Sequence, residues 1–134
     1  MEKINQRAKV KMQNDKEKFK NDFYRRLIEF SISVINFCAI IRKDRSLWVI
    51  ADRLVDSATS IGANVNEGKS SHSKKDYTKF FEIALKSANE SIFRLKVIMG
   101  YSEKYRTEGE KLLKEVQEIG NILGSSVITL KGRR

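Results

Sequence analysis

Three carboxylates stand near one another along the chain, Glu67, Asp76 and Glu90. General acid–base chemistry would need two of them facing one pocket. Glu67 falls near the end of a helical run, where the helix dipole disfavours an anion by about 0.3–1 kcal/mol. A buried or interface hydrogen bond to a Ser, Asn or Arg is therefore its expected role. His72 is the chain's single histidine and lies between Ser71 and Ser73. It has no second ligand at helical spacing, so solvent or a phosphate is its expected neighbour. Cys38, the single cysteine, sits inside an apolar run and is expected to act as a small buried hydrophobe. One Cys and one His exclude a disulfide framework, a Cys-rich zinc site and any motif built on two histidines. There is no P-loop and no Gly-rich dinucleotide turn. The expectation is a non-enzyme without cofactor or metal.

The chemistry that remains is charge. Lys plus Arg number 27 against 17 Asp plus Glu, a formal net of +10 over 134 residues. A surplus of this size points to polyanions, of which nucleic acid is the usual one. Residues 1–20 carry Lys3, Arg7, Lys9, Lys11, Lys16, Lys18 and Lys20 against Glu2, Asp15 and Glu17, net +4. Residues 44–68 are net −2, and residues 69–100 return to +4. Lys75, Lys79 and Lys86 fall within about 40° of one another on a helical wheel. With Lys69 and Lys74 they form the best positive patch, and Lys131, Arg133 and Arg134 make a basic tail. These eight residues are the candidate phosphate contacts.

The elements that must carry them read as helices. There is no proline, hydrophobic residues are 40% and charged residues 33%, which fits one folded domain built on long helices. No apolar run approaches the roughly 20 residues of a membrane span. The polar start lacks a signal-peptide core, so the cytoplasm is the expected location. Residues 1–20 read as a basic arm, disordered or a helical extension. Phe19, Phe23, Leu27, Phe30, Val34, Phe37 and Ile41 then recur at spacings of three and four, a sustained helical stripe. Tyr24, Ile28, Ile35, Cys38 and Ala39 form a second apolar set, which implies a helix buried on two faces.

Ser46 reads as the N-cap of a second helix with the stripe Leu47, Ile50, Leu54, Ala58, Ile61 and Val65. Its small residues, among them Ser57, Ser60, Gly62 and Ala63, allow close helix approach. Gly68 suits the left-handed conformation of a helix C-terminus. Ser73 with Asp76, and Thr107 with Glu110, read as capping boxes for helices three and four. Helix three turns a face from Tyr77 to Met99 inward. Its outer face runs from lysines to Phe93 and Val97, which reads as a contact with another chain. Trp48, off the main stripe, is placed at the core edge or that interface in preference to base stacking. Helix four runs along Leu112, Val116, Ile119, Leu123, Val127 and Leu130, and close packing would explain Gly120 and Gly124. Four helices with short connections give an antiparallel up-down-up-down four-helix bundle over residues 21–131, with residues 132–134 as the tail.

Residues 57–90 carry a more specific pattern: Ser60-Ile61-Gly62-Ala63-Asn64-Val65, then Glu67-Gly68, a Ser-rich loop, Asp76, Phe80 or Phe81, Ala84, Ser87 and Glu90. This resembles the 23S rRNA intervening-sequence protein family. Ile122-Leu123-Gly124-Ser125 and its basic tail resemble a relative, the accessory variability determinant of diversity-generating retroelements. The resemblance implies structural roles for Ser60, Asn64, Glu67, Gly68, Asp76, Ser87 and Glu90. It implies a barrel-like homopentamer with a basic surface for nucleic acid, RNA more than DNA. In the retroelement branch it implies an adaptor for a reverse transcriptase. The longer basic arm, and Lys86 before the serine, depart from the family pattern.

Overall fold

The computed structural model describes residues 2–132, with side chains from Gln6 onward. Four long helices account for nearly all of them: α1 (Glu2–Ile41), α2 (Trp48–Lys69), α3 (Lys74–Tyr101) and α4 (Arg106–Leu130). Single 3-10 turns, Arg45–Leu47 and Glu103–Tyr105, lead into α2 and α4. No strand is present among the described residues.

All four helices contribute to one core. Its fully enclosed side chains include Leu27, Val34 and Ile41 of α1, Leu54 and Ile61 of α2, Leu95 and Ile98 of α3, and Val116, Ile119 and Leu123 of α4. Neighbouring helices meet in opposite residue order. Tyr24 lies beside Lys69, Leu27 beside Gly62 and Cys38 beside Ala51. Between α2 and α3, Ser60 meets Ser87, Ser57 meets Ser91, and the Arg53 carbonyl accepts from Arg94. Between α1 and α4, Arg26 donates to both oxygens of Glu115 (2.6 and 2.8 Å) and to Glu118 (2.6 Å).

The first helix extends far beyond this core. Residues 2–18 project by about 25 Å at 1.5 Å per residue. The described side chains of this stretch, residues 6–20, are all exposed. It is helical because it contains no Gly or Pro and continues an already nucleated helix. The ion pairs Lys11–Asp15 (3.4 Å) and Lys18–Asp22 (3.0 Å) add a few tenths of a kcal/mol each by order of magnitude. Phe19, expected in the core stripe, is 59% exposed, because at its level α1 has already cleared the α2–α3 connection.

Cys38 belongs to the inward face and not to the second apolar set. Its thiol donates to the Ala51 carbonyl (3.5 Å), and burial pushes its pKa up to about 11. At pH 8 the native thiol is expected to react with a thiol reagent on the order of a hundredfold slower than the unfolded chain. Equal rates in the presence and absence of denaturant would show that α1 opens freely at this point.

Three helix ends differ from the expected caps. Ser46 does not cap α2; Leu47 precedes that helix, and the Ser46 hydroxyl instead accepts from Tyr101 (2.8 Å). Thr107 lies inside α4, where Arg106 pairs with Glu103 and Glu110 across the first turn. Gly68 is helical, and α2 continues through Lys69. Its smallness serves packing, since a Cβ there would sit 3.4 Å from Phe80 Cβ and the Phe81 ring. The tightest glycine is Gly109, where a Cβ would fall 2.6 Å from Met99 Cγ. Gly124 faces open space, so close packing does not explain it. Ser73 does cap α3, its hydroxyl accepting from the Asp76 amide at 3.0 Å.

Candidate nucleic-acid interface

The α2–α3 seam is built from small polar residues, and this places the start of α3 firmly. Ser57 and Ser91, both buried, have hydroxyls 2.8 Å apart. Ser87 donates to Ser60 Oγ (2.9 Å), and Asn64 Nδ2 donates to the Ser60 hydroxyl and carbonyl (2.9 and 2.8 Å). Buried hydroxyls are costly unless paired, and here each has a partner. Ser60, Asn64 and Ser87 thus form one network, which Ser57 and Ser91 extend one turn further. Their small size and helical spacing were the available signal for that extension.

This seam fixes where the α2–α3 connection emerges. The arm, that connection and the end of α4 all leave the core at one end. Lys74, Lys75 and Lys79 line one open groove with Leu130 and Lys131. Lys16, Lys20 and Lys69 line a second with Tyr77 and Ser126. Lys69, Lys74, Lys75, Lys79 and Lys131 therefore gather at one end, with two arm lysines joining them. The overall charge of the arm was the sequence signal for Lys16 and Lys20. His72 is exposed in the connection between Lys69 and Lys74. The opposite end holds Asp44, which accepts from Tyr105 (2.5 Å) and pairs with Lys104 (3.7 Å).

The lysines at the basic end are not equivalent. Lys74, Lys75 and Lys79 are exposed and make no ion pair among the described residues. Lys131 is held by Glu82 (2.5 Å), so part of its charge is already met within the chain. Lys69 lies over the Tyr24 ring, 4.8 Å from its centroid. Lys86 is about 10 Å further along α3 than Lys79. It lines a separate groove with Glu82, Glu90, Phe93 and Arg94. Arg133 and Arg134 lie outside the described residues.

The carboxylates do not assemble into a site. Glu67 is exposed and has no hydrogen-bond or ion-pair partner among the described residues. The buried form of the expected hydrogen bond is not made among the described residues, and Lys69 in the same last turn offsets the dipole. Asp76 is exposed at the start of α3, and Glu90 lines the Phe93 groove. No group of three or more His, Cys, Asp or Glu among the described residues could hold a metal ion.

Exposed apolar side chains among the described residues include two helix faces. Ile28, Ile32, Ile35 and Ala39 recur every three or four residues along α1, all exposed. Phe93 (67% exposed) and Val97 make a second surface on α3. Trp48 is half-exposed, its indole N–H donating to the Arg42 carbonyl (2.6 Å) with Arg45 stacked over the ring at 5.4 Å. No helix among the described residues is long and apolar enough to cross a membrane.

Comparison with known proteins adds three findings. A family model described as 23S rRNA-intervening sequence protein matches residues 20–125. A crystal structure of a protein of unknown function from the S23 ribosomal protein family of Bacteroides thetaiotaomicron is 27% identical, with a TM-score of 0.74. That similarity covers 78% of this chain and 97% of the other. No match is found among curated proteins.

Proposed function

The chain belongs to the 23S rRNA-intervening sequence protein family, and from that premise we propose that it is a cytoplasmic, non-enzymatic nucleic-acid-binding protein, favouring RNA over DNA. The observation that carries this reading is the gathering of Lys69, Lys74, Lys75, Lys79 and Lys131 with the arm's Lys16 and Lys20 at one end of the helices. Lysines aimed at phosphates supply affinity and orientation with little base-edge information. The family's name, with its reference to 23S rRNA, favours RNA. Specificity would then come from RNA shape.

The protomer in this reading is an antiparallel up-down-up-down bundle, an arrangement supported by the opposite residue order of the pairs across each seam. It assembles as a homo-oligomeric ring, taken as a pentamer from the family resemblance. The exposed apolar faces support assembly. They are two different faces on different helices, and a contact joining unlike faces closes into a ring when the rotation permits. A ring would present the basic end once per subunit and multiply its avidity. No observation on the described residues favours the alternative of an adaptor for a reverse transcriptase.

The test is fluorescence anisotropy of the purified protein with labelled structured RNA, duplex DNA and single-stranded DNA. Binding to all three at low salt, tightest to RNA, is the expected result. Absence of binding to any of them at low salt would overturn the reading.

A further inference from the structure

The arm does more than carry charge. Where α1 rises past the α2–α3 connection, a cleft of about 340 Å³ opens between it and the start of α3. This volume is within the range of small-ligand pockets. One wall is Phe19 stacked on Phe23, ring centroids 6.3 Å apart and planes within 1°. The other is Tyr77 stacked on Phe81, 4.7 Å apart and 14° from parallel. Val65 and Ile122 complete the apolar lining. Lys16, Lys20 and Lys69 also border it, against one carboxylate, Asp15. Phe19 is 59% exposed beside this cleft, so its ring is accessible to an occupant.

We propose that this cleft takes one unpaired base of single-stranded RNA, stacked against the rings of Phe19 and Tyr77, with the flanking phosphates held by Lys16, Lys20 and Lys69. The inference rests on the nucleic-acid reading above and assigns it a second site with different chemistry. Two parallel-stacked ring pairs suit a flat occupant, and three ammonium groups to one carboxylate suit an anionic one. A strand offers both at the spacing of a base and its phosphates, and base–aromatic stacking with a basic track is the usual solution for single strands. The cleft carries two hydroxyls. Ser126 already donates to the Ile122 carbonyl at 2.9 Å, which leaves the Tyr77 phenol as the group able to meet a base edge. Stacking, which every base offers, supplies most of the affinity, so discrimination among bases is weak. A duplex, whose bases are already stacked and paired, does not enter it. Asp15, Lys16 and Phe19 lie before residue 20, where the family match begins.

The experiment compares wild type with Phe19→Ala on three labelled probes of equal length: a single-stranded RNA of mixed sequence, the same strand with abasic spacers, and duplex RNA. Phe19 is exposed, so the variant retains its core. Helix content by circular dichroism checks this, and Phe19→Leu serves as a second variant that keeps apolar bulk without a stacking face. Loss of one stacked base weakens single-strand binding on the order of tenfold to a hundredfold. The expected result is that loss for both variants on single-stranded RNA, with duplex affinity and the salt slope unchanged. The abasic strand should bind wild type and Phe19→Ala alike. Equal affinity of wild type and variant for the intact strand, or an equal loss on duplex, would overturn the cleft assignment while leaving the nucleic-acid reading standing. Failure of wild type to bind any probe would instead overturn that reading.

Discussion

Reversing two charges at the basic end, Lys75→Glu with Lys79→Glu, is expected to weaken RNA binding on the order of a hundredfold at low salt. The two side chains are exposed at the start of α3, one turn apart, and neither is tied up in an ion pair among the described residues. Each phosphate contact contributes a slope of about 0.9 to the fall of log K with log salt on a duplex and about 0.7 on a single strand. Losing two contacts should flatten the slope by nearly 2, and the introduced carboxylates add direct repulsion. The loss should be uniform across sequences, because phosphate contacts carry none. Stability should change little, since neither side chain reaches the core. Lys86→Glu, further along α3 beside Glu82 and Glu90, should cost far less. If the double variant binds as wild type does, the arm lysines carry the affinity. If Lys86→Glu costs as much, the contact surface runs along α3 and not across the end.

The second large effect concerns assembly. Phe93→Asp is expected to reduce the particle measured by light scattering from an oligomer to the 15.5 kDa protomer. Phe93 is two-thirds exposed and contributes nothing to the closed core, so helix content should be retained. At an interface the same ring would be buried. Truncating a buried aromatic anchor costs about 2–4 kcal/mol or more, and placing a charge there adds desolvation. A ring in which every contact carries the same defect fails at all of them together. Ile32→Asp, on the exposed stripe of α1, should behave alike if α1 supplies the opposing face. An unchanged mass for Phe93→Asp would remove α3 from the interface, and a wild-type mass of one protomer would remove the ring.

How much of this was readable in the residues depended on the kind of signal. Periodicity located all four helices, because apolar stripes such as Leu112, Val116, Ile119 and Leu123 are set by which face must be buried. It could not say where α1 leaves the core, so Phe19 was read as inward; the stripe continues while the neighbouring helices stop. Caps were less legible. Ser46 and Thr107 have the right chemistry, but 3-10 turns start both helices elsewhere and give those side chains other surroundings. Gly68 looked like a C-cap, and its true constraint, the approach of Phe80 and Phe81, is a tertiary fact. The exposed Phe93 and Val97 were legible because an apolar pair on a lysine-bearing face is anomalous. The basic end was only half legible. Its lysines were visible as separate runs, while their convergence follows from helix lengths that bring three chain segments to one end. The aromatic cleft had no linear signal, since its walls come from residues nearly sixty positions apart.

The most direct measurement is the affinity of the purified protein for a labelled structured RNA between about 50 and 200 mM salt, by fluorescence anisotropy. Five to seven phosphate contacts predict a log–log slope of roughly −4 to −6, a fall in affinity of a few hundredfold or more over that range. The Lys75→Glu, Lys79→Glu variant should give a shallower line displaced to weaker binding. No binding at 50 mM salt, or binding that does not change with salt, would contradict the account and leave the gathered lysines as a solvated surface.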